Sequence, residues 1–268
     1  MPMGSEGPEQ RLTREMRAIP NRGARLVRAS IRGLTLLSVV FVTSCGNGSE
    51  DPASFKNSIG MEFRQIPPGS FHMGYSKLFG PIHRVTLNGF WMSSYETTNA
   101  QFELFRKHKR SDQSLKDNAP VCDVTHEDAL KFAQWLSKKE HRKYDLPTEA
   151  QWEYAARGVL KGMDYPWGED DPDGHAVFGD LQTRPVGTFR PNRYGLYDMA
   201  GNAAEFVKEA DYDYSAAPKT NPVGPLKGNL YISRGGGLDY ELKVFERFLV
   251  PADMSLPDLG FRLVCSSK

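Results

Sequence analysis

The segment Asn192–Phe206, NRYGLYDMAGNAAEF, limits what this chain can fold into more than any other. Gly195 and Gly201 interrupt it, and glycines in such a run mark turns with positive φ that end helices and strands alike. Asp198, Asn202 and Glu205 place oxygen-bearing side chains within one or two turns of chain. Irregular backbone adds carbonyls to that set. Hard oxygen ligands at short spacing suit calcium better than zinc. The same residues also suit a turn whose Asp and Asn cap a short helix. Local spacing leaves both readings open.

Around this segment the chain reads as a loop-rich globular protein. Of its 268 residues 39% are hydrophobic and 25% charged, an ordinary balance that can bury a sizeable core. The formal net charge of +1 sets up no field that would draw nucleic acid or acidic lipid. Aromatics at 11% and 25 glycines predict aromatic packing between loops rather than a helical bundle. No internal repeat, phosphate-cradling loop or nucleophile elbow occurs. Gly235-Gly236-Gly237 follows a strand-like piece but lacks the spacing of a nucleotide loop.

The N-terminal part stands outside the fold. Arg25, Arg28 and Arg32 precede an apolar run, Leu34 to Val42, that ends in Thr43-Ser44-Cys45. The run is too short for a stable bilayer span. A basic flank, an apolar core, small residues and a cysteine resemble a bacterial lipoprotein signal, in which the cysteine becomes the lipidated first residue of the mature chain. We therefore expect a signal over residues 1–45, lipidation at Cys45, a flexible tether over 46–56 and a domain over 57–266. The long stretch before the apolar run allows a start downstream, for example at Met16. Gly46 after the cysteine resembles the outer-membrane sorting pattern, so the expected location is the cell envelope. Cys122 and Cys265 remain. Their spacing makes no zinc motif. They either pair or stand as two buried thiols, and the second is expected.

Strand-like composition at Met61–Ile66 and Ser70–Met73, divided by Pro67-Pro68-Gly69, predicts a hairpin. His83–Leu87 predicts a further strand, followed by Gly89-Phe90-Trp91-Met92. Thr98 and Gln101, Thr125 and Asp128, and Thr148 and Gln151 each have capping-box spacing, so three helices are predicted. Ala129, Phe132, Ala133 and Leu136 form the inner face of the second, and Trp152, Ala155 and Ala156 that of the third, which Gly158 ends. His126 is expected on the surface of a helix N-terminus. Tyr165–Gly168 predicts a rigid aromatic turn, Glu169–Asp173 a solvated acidic loop, and Ser215–Lys227 a loop. Tyr231–Gly237 and Leu259–Val264 are strand-like.

Seven motifs taken in order, NSIGMEFRQIPPGSFHMG, SSYETTNAQF, DLPTEAQWEYAARG, YPWG, NRYGLYDMAGNAAEF, SRGGG and LGFRLV, resemble the formylglycine-generating enzyme, or sulfatase-modifying factor, family over Asn57 to Val264. The resemblance implies a single compact α+β domain related to C-type lectins and low in regular secondary structure. It also implies a structural calcium ion in the segment Asn192–Phe206, held by the side chains of Asp198 and Glu205 and the carbonyls of Gly201 and Ala203. A second family calcium site would fall near Val177 and Phe178.

Enzymes of that family oxidise a cysteine of a nascent sulfatase to formylglycine, using oxygen and a copper ion held by two cysteines. Here the corresponding segment reads RGGGLDYELKVFERF, with Tyr240 and Phe245 at about the cysteine positions, Gly237 for a serine and Ala204 for an active-site tryptophan. Copper held by two thiolates needs soft ligands, which neither Tyr nor Phe supplies, so copper is not expected. The resemblance thus implies a non-catalytic, lipid-anchored module for an envelope protein or glycan, with no nucleic-acid partner. Ala204, Tyr240, Phe245 and Phe248 are its expected binding surface; the alternative packs these aromatics inward. The competing functional expectation is a formylglycine-generating-type oxidoreductase or another metal-dependent oxidase with an altered site, recruiting His72, His83 and His175.

Overall fold

The three capping boxes nucleate the three helices. In the computed structural model, which describes residues 53–75, 81–238 and 242–266, they are α1 (Asn99–Glu103), α2 (His126–Glu140) and α3 (Glu149–Arg157). In each, the Thr hydroxyl accepts the third helical N–H while the side chain at that position takes the Thr N–H, so two otherwise orphaned donors are satisfied at once. Such a cap contributes about 1 kcal/mol. Glu127 and Asp128 in the first turn of α2, with Lys138 and Lys139 in the last, also complement its dipole.

Among the described residues, twelve short strands accompany the helices. One sheet orders β1 (Ser54–Lys56), β2 (Glu62–Ile66), β5 (Phe90–Ser93), β12 (Val264–Cys265) and β6 (Tyr144–Asp145). A second orders β10 (Phe248–Pro251), β9 (Leu230–Arg234), β7 (Ala204–Ala210) and β11 (Leu259–Gly260). A third orders β3 (Gly69–Met73), β4 (His83–Leu87) and β8 (Lys219–Thr220). Between α3 and β7, residues 158–203 form no helix or strand. The architecture is therefore α+β and sparse in regular elements.

Among the described residues, the two larger of three apolar clusters hold these layers. One gathers Trp152, Ala155 and Ala156 of α3 with Met92, Val207 and Ile232. The other stacks Phe102 on Phe132, centroids 5.5 Å apart, with Phe261 edge-on to both. Each such ring contributes roughly 1.5–3 kcal/mol on burial. Cys122 and Cys265 are free and buried. Burial is the first cause that lifts both thiols, Cys122 well above its usual range and Cys265 to about 12.

Four expectations need correction. Residues 61–66 and 70–73 do not form a hairpin: β2 pairs with β1 and β5, and β3 with β4. The two strands on either side of Pro67-Pro68 diverge into different sheets. Of the segment expected as a tether, Ser54–Lys56 is instead a strand that pairs with Glu62–Arg64, and Phe55 stacks 5.0 Å from Phe63. Lys219–Thr220, inside the expected loop, adds in parallel to β4. His126 is buried, its Nε2 is 2.9 Å from the Val207 carbonyl, and its ring lies 3.7 Å from that of Tyr231. Burial pulls its pKa down to about 4. Residues 1–52, including the expected signal, Cys45 and residues 46–52 of the expected tether, lie outside the described residues, as does Tyr240.

Candidate functional site

The glycine-marked segment is a turn stitched to its surroundings by side chains. Asn192 Oδ1 accepts the N–H groups of Tyr194 and Leu196, while its Nδ2 donates to the Ala155 and Ala156 carbonyls at 2.7 and 3.1 Å. One asparagine thereby shapes the turn and covers the C-terminal end of α3. Gly201, at φ 76°, lies so close to the Val177 carbonyl that a Cβ would overlap it. Asp198 and Asn202 also adopt positive φ, 52° and 64°, which those residue types tolerate better than most.

Below the turn lies a buried ionic cluster that no local pattern reveals. Arg262 and Glu205 are fully buried and pair through Nε–Oε2 at 2.7 Å and Nη2–Oε1 at 2.6 Å. Arg262 also donates to the carbonyls of Ser93, Ser94, Tyr197 and Asp198. Trp152 Nε1 donates to Glu205 Oε2 at 2.8 Å. Glu96, also buried, accepts from the Ala203 N–H at 3.1 Å and from Asn202 Nδ2. Asp198 Oδ2 accepts the Gly187 N–H at 2.6 Å.

Three carboxyls thus face one guanidinium, leaving two unbalanced negative charges if all are ionised. Burial, then the charges of Asp198 and Glu205, push Glu96 well above the usual carboxylate range. Burial also raises Asp198, opposed by the Gly187 N–H and Arg262. Burial works against the charge on Arg262, but Glu205, Glu96 and Asp198 outweigh it and hold it cationic. A buried cluster of this sign takes up protons or a cation.

Of the expected calcium ligands, Asp198, Gly201 and Ala203 belong to the turn, and Asp198 Oδ2 already accepts the Gly187 N–H. Glu205 does not fit as a ligand. Its oxygens already accept from Arg262 and Trp152, and the guanidinium stands where a cation would have to approach. Among the described residues no three His, Cys, Asp or Glu side chains form a metal cluster, so His72, His83 and His175 are not brought together.

A second arrangement borders this cluster. Gly235, Gly236 and Gly237 carry φ of 88°, 86° and 113°. A Cβ on Gly237 would stand 2.6 Å from Asp258 Oδ2, which accepts the Leu238 N–H at 3.1 Å. Asp258 therefore fills the space into which a side chain at 237 would project.

The sulfatase-modifying factor enzyme 1-like domain, as a family, matches residues 49–267. The chain belongs to the sulfatase-modifying factor family. It is 36% identical over 177 residues to the formylglycine-generating enzyme of Streptomyces coelicolor, covering 57% of this chain and 54% of that one. It is 33% identical over 185 residues to the serine/threonine-protein kinase pkn1 of Chlamydia pneumoniae, covering 58% of this chain and 29% of that protein. It therefore spans about half of the first relative and under a third of the second. Among solved structures, PvdO from Pseudomonas aeruginosa superposes with a TM-score of 0.71 at 26% identity, over 82% of this chain and all of that one.

Within this sulfatase-modifying factor domain, the expected binding surface is largely interior. Ala204 is buried at the start of β7, pairs with Leu259 and packs in the phenylalanine-rich cluster, so the small side chain opens no pocket. Phe245 is buried in the Trp152 cluster, with the Tyr75 ring stacked 4.0 Å away. Phe245 follows the inward alternative. Phe248 is half-buried on β10. Glu96, Asp258 and Arg262 were not singled out from the sequence. Arg262 did leave a signal: a cation between Phe261 and Leu263 in an apolar run requires a buried partner.

Proposed function

We propose that this chain is a non-catalytic sulfatase-modifying factor domain, held at the bacterial envelope by a lipidated Cys45, that binds an envelope protein or glycan. The observation that carries this reading is Phe245. It stands at one of the two positions where the resemblance puts copper-binding cysteines, and its ring lies buried beneath Tyr75 with no soft donor atom to offer. Cys122 and Cys265 do not replace the pair, because both lie outside the Gly235–Phe245 segment, Cys265 on β12 between β5 and β6. Gly237 and Ala204 point the same way, since Asp258 and the core occupy the space a larger side chain would need.

Calcium is part of the proposal as a structural ion. Asp198 and the carbonyls of Gly201 and Ala203 would hold it. Glu205 serves Arg262 instead.

The test is cross-linking of the full chain in envelopes, with and without chelator, followed by purification under denaturing conditions. Recovery of one envelope protein or one glycan in near-equal amount, lost with chelator, is the expected result. A chain that recovers nothing under either condition contradicts the binding role. Cys45→Ser is expected to release the protein from membranes, and retention would contradict the anchor.

A further inference from the structure

A cavity of about 510 Å³ lies away from the ionic cluster, between the hairpin of β3 and β4, the C-terminal end of α3 and the loop that follows it. Its volume is in the range of small-molecule sites. Phe71 and the hydroxyl-bearing rings of Tyr154 and Tyr194 line it, with the two tyrosine oxygens 3.3 Å apart. Burial pushes the Tyr194 phenol up, with the Tyr154 hydroxyl adding to the effect, so Tyr194 keeps its proton as a donor. Gly69 has no room for a side chain, because a Cβ there would overlap the Tyr154 hydroxyl. The floor is therefore fixed by its neighbours.

The rim is basic. His72, Arg84 and Lys161 line the cavity, and none of its described lining residues is acidic. His72 and Arg84 sit directly opposite each other on β3 and β4. Two basic side chains in that register repel whenever both are charged. Among the described residues neither Arg84 nor Lys161 has an ion-pair partner. Arg157, the fourth basic residue there, is already committed to Glu153 at 2.8 Å. Glu153 is shared with Arg234, so it cannot balance the rim. The C-terminal carbonyls of α3, which would repel an anion, are covered by Asn192.

We propose that this cavity binds a small organic anion, one carboxylate, phosphate or sulfate group carried on a ring-bearing body. Arg84 and Lys161 take the anionic group, and Phe71, Tyr154 and Tyr194 receive the ring. The proposal is independent of whether the domain acts as a binding module or an oxidase, because it uses none of the residues of the ionic cluster.

The test titrates the full chain, in mild detergent and with its tyrosine rings isotopically labelled, with phenyl phosphate. Inorganic phosphate and benzylammonium are the controls. Saturable shifts of the Tyr154 and Tyr194 ring signals, assigned with Tyr154→Phe and Tyr194→Phe, are expected. The variant Arg84→Ala/Lys161→Ala should keep the wild-type melting temperature and weaken phenyl phosphate at least tenfold. Benzylammonium should not bind, and inorganic phosphate should bind at least tenfold more weakly than phenyl phosphate. Unchanged affinity in the double variant, no shift with phenyl phosphate, or equal binding of benzylammonium would overturn the site. Equal binding of inorganic phosphate would overturn the ring-bearing class of ligand.

Discussion

Replacing Arg262 by Met tests whether the buried ionic cluster holds the glycine-marked turn in place. The side chain pairs bidentately with Glu205 and donates to carbonyls of Ser93, Ser94, Tyr197 and Asp198. Methionine keeps much of the volume and removes every one of those bonds. It also leaves Glu205, fully buried, without a cation. Stranding one member of a buried pair costs about 3–5 kcal/mol, a large part of the roughly 5–15 kcal/mol that stabilises a typical domain. Urea unfolding followed by tryptophan fluorescence measures the loss, since the Trp152 indole donates to Glu205 and reports on the site. Adding Glu205→Gln to the same chain should recover about 2 kcal/mol, because the stranded charge is gone. A loss below about 1 kcal/mol in Arg262→Met, or a double variant whose cost equals the sum of the singles, would refute the cluster as the organising element.

Glu209 and His126 carry opposite pH dependences. Burial raises Glu209 from 4.5 to about 7, helped by the neighbouring Glu149 charge, so its folded form binds protons more tightly and stability falls as pH rises across that window. Glu209→Gln should remove that fall, worth about 3 kcal/mol at a little over 1 kcal/mol per pH unit. Burial lowers His126 from 6.5 to about 4, so stability is lost as pH falls across that window, and His126→Asn should remove that loss. Between pH 4 and 7 the stability of Glu209→Gln should therefore fall less with rising pH than that of the wild type, and that of His126→Asn should fall more; unfolding midpoints across that range check this, and identical slopes in all three chains would contradict it. Gly201→Ala combines a positive φ of 76° with overlap on the Val177 carbonyl. It should lower stability by more than about 2 kcal/mol, and a melting temperature within a degree of wild type would contradict the close approach.

What could be read from the sequence was what is local. Thr98, Thr125 and Thr148 announce their helices because a capping box is complete within four residues. The turn at Gly195 and Gly201 was legible for the same reason. Strand partners were not, because pairing depends on residues far along the chain: β2 finds β5 rather than β3. Glu205 looked like a metal ligand because its partner Arg262 stands 57 positions away. Phe245 and Ala204 looked like surface because their motif is catalytic in relatives, while here the core claims both. His126 looked exposed because helix starts usually are, but Tyr231 lies over its ring.

The most direct measurement for the central claim is turnover of a cysteine-containing sulfatase-derived peptide. The full chain is supplied with copper(I), oxygen and a thiol reductant, and the peptide is read by mass spectrometry for formylglycine. A relative that keeps the cysteine pair serves as the positive control. The account predicts that the control converts the peptide and this chain leaves it unchanged. Formylglycine formed by this chain above the protein-free background would contradict it.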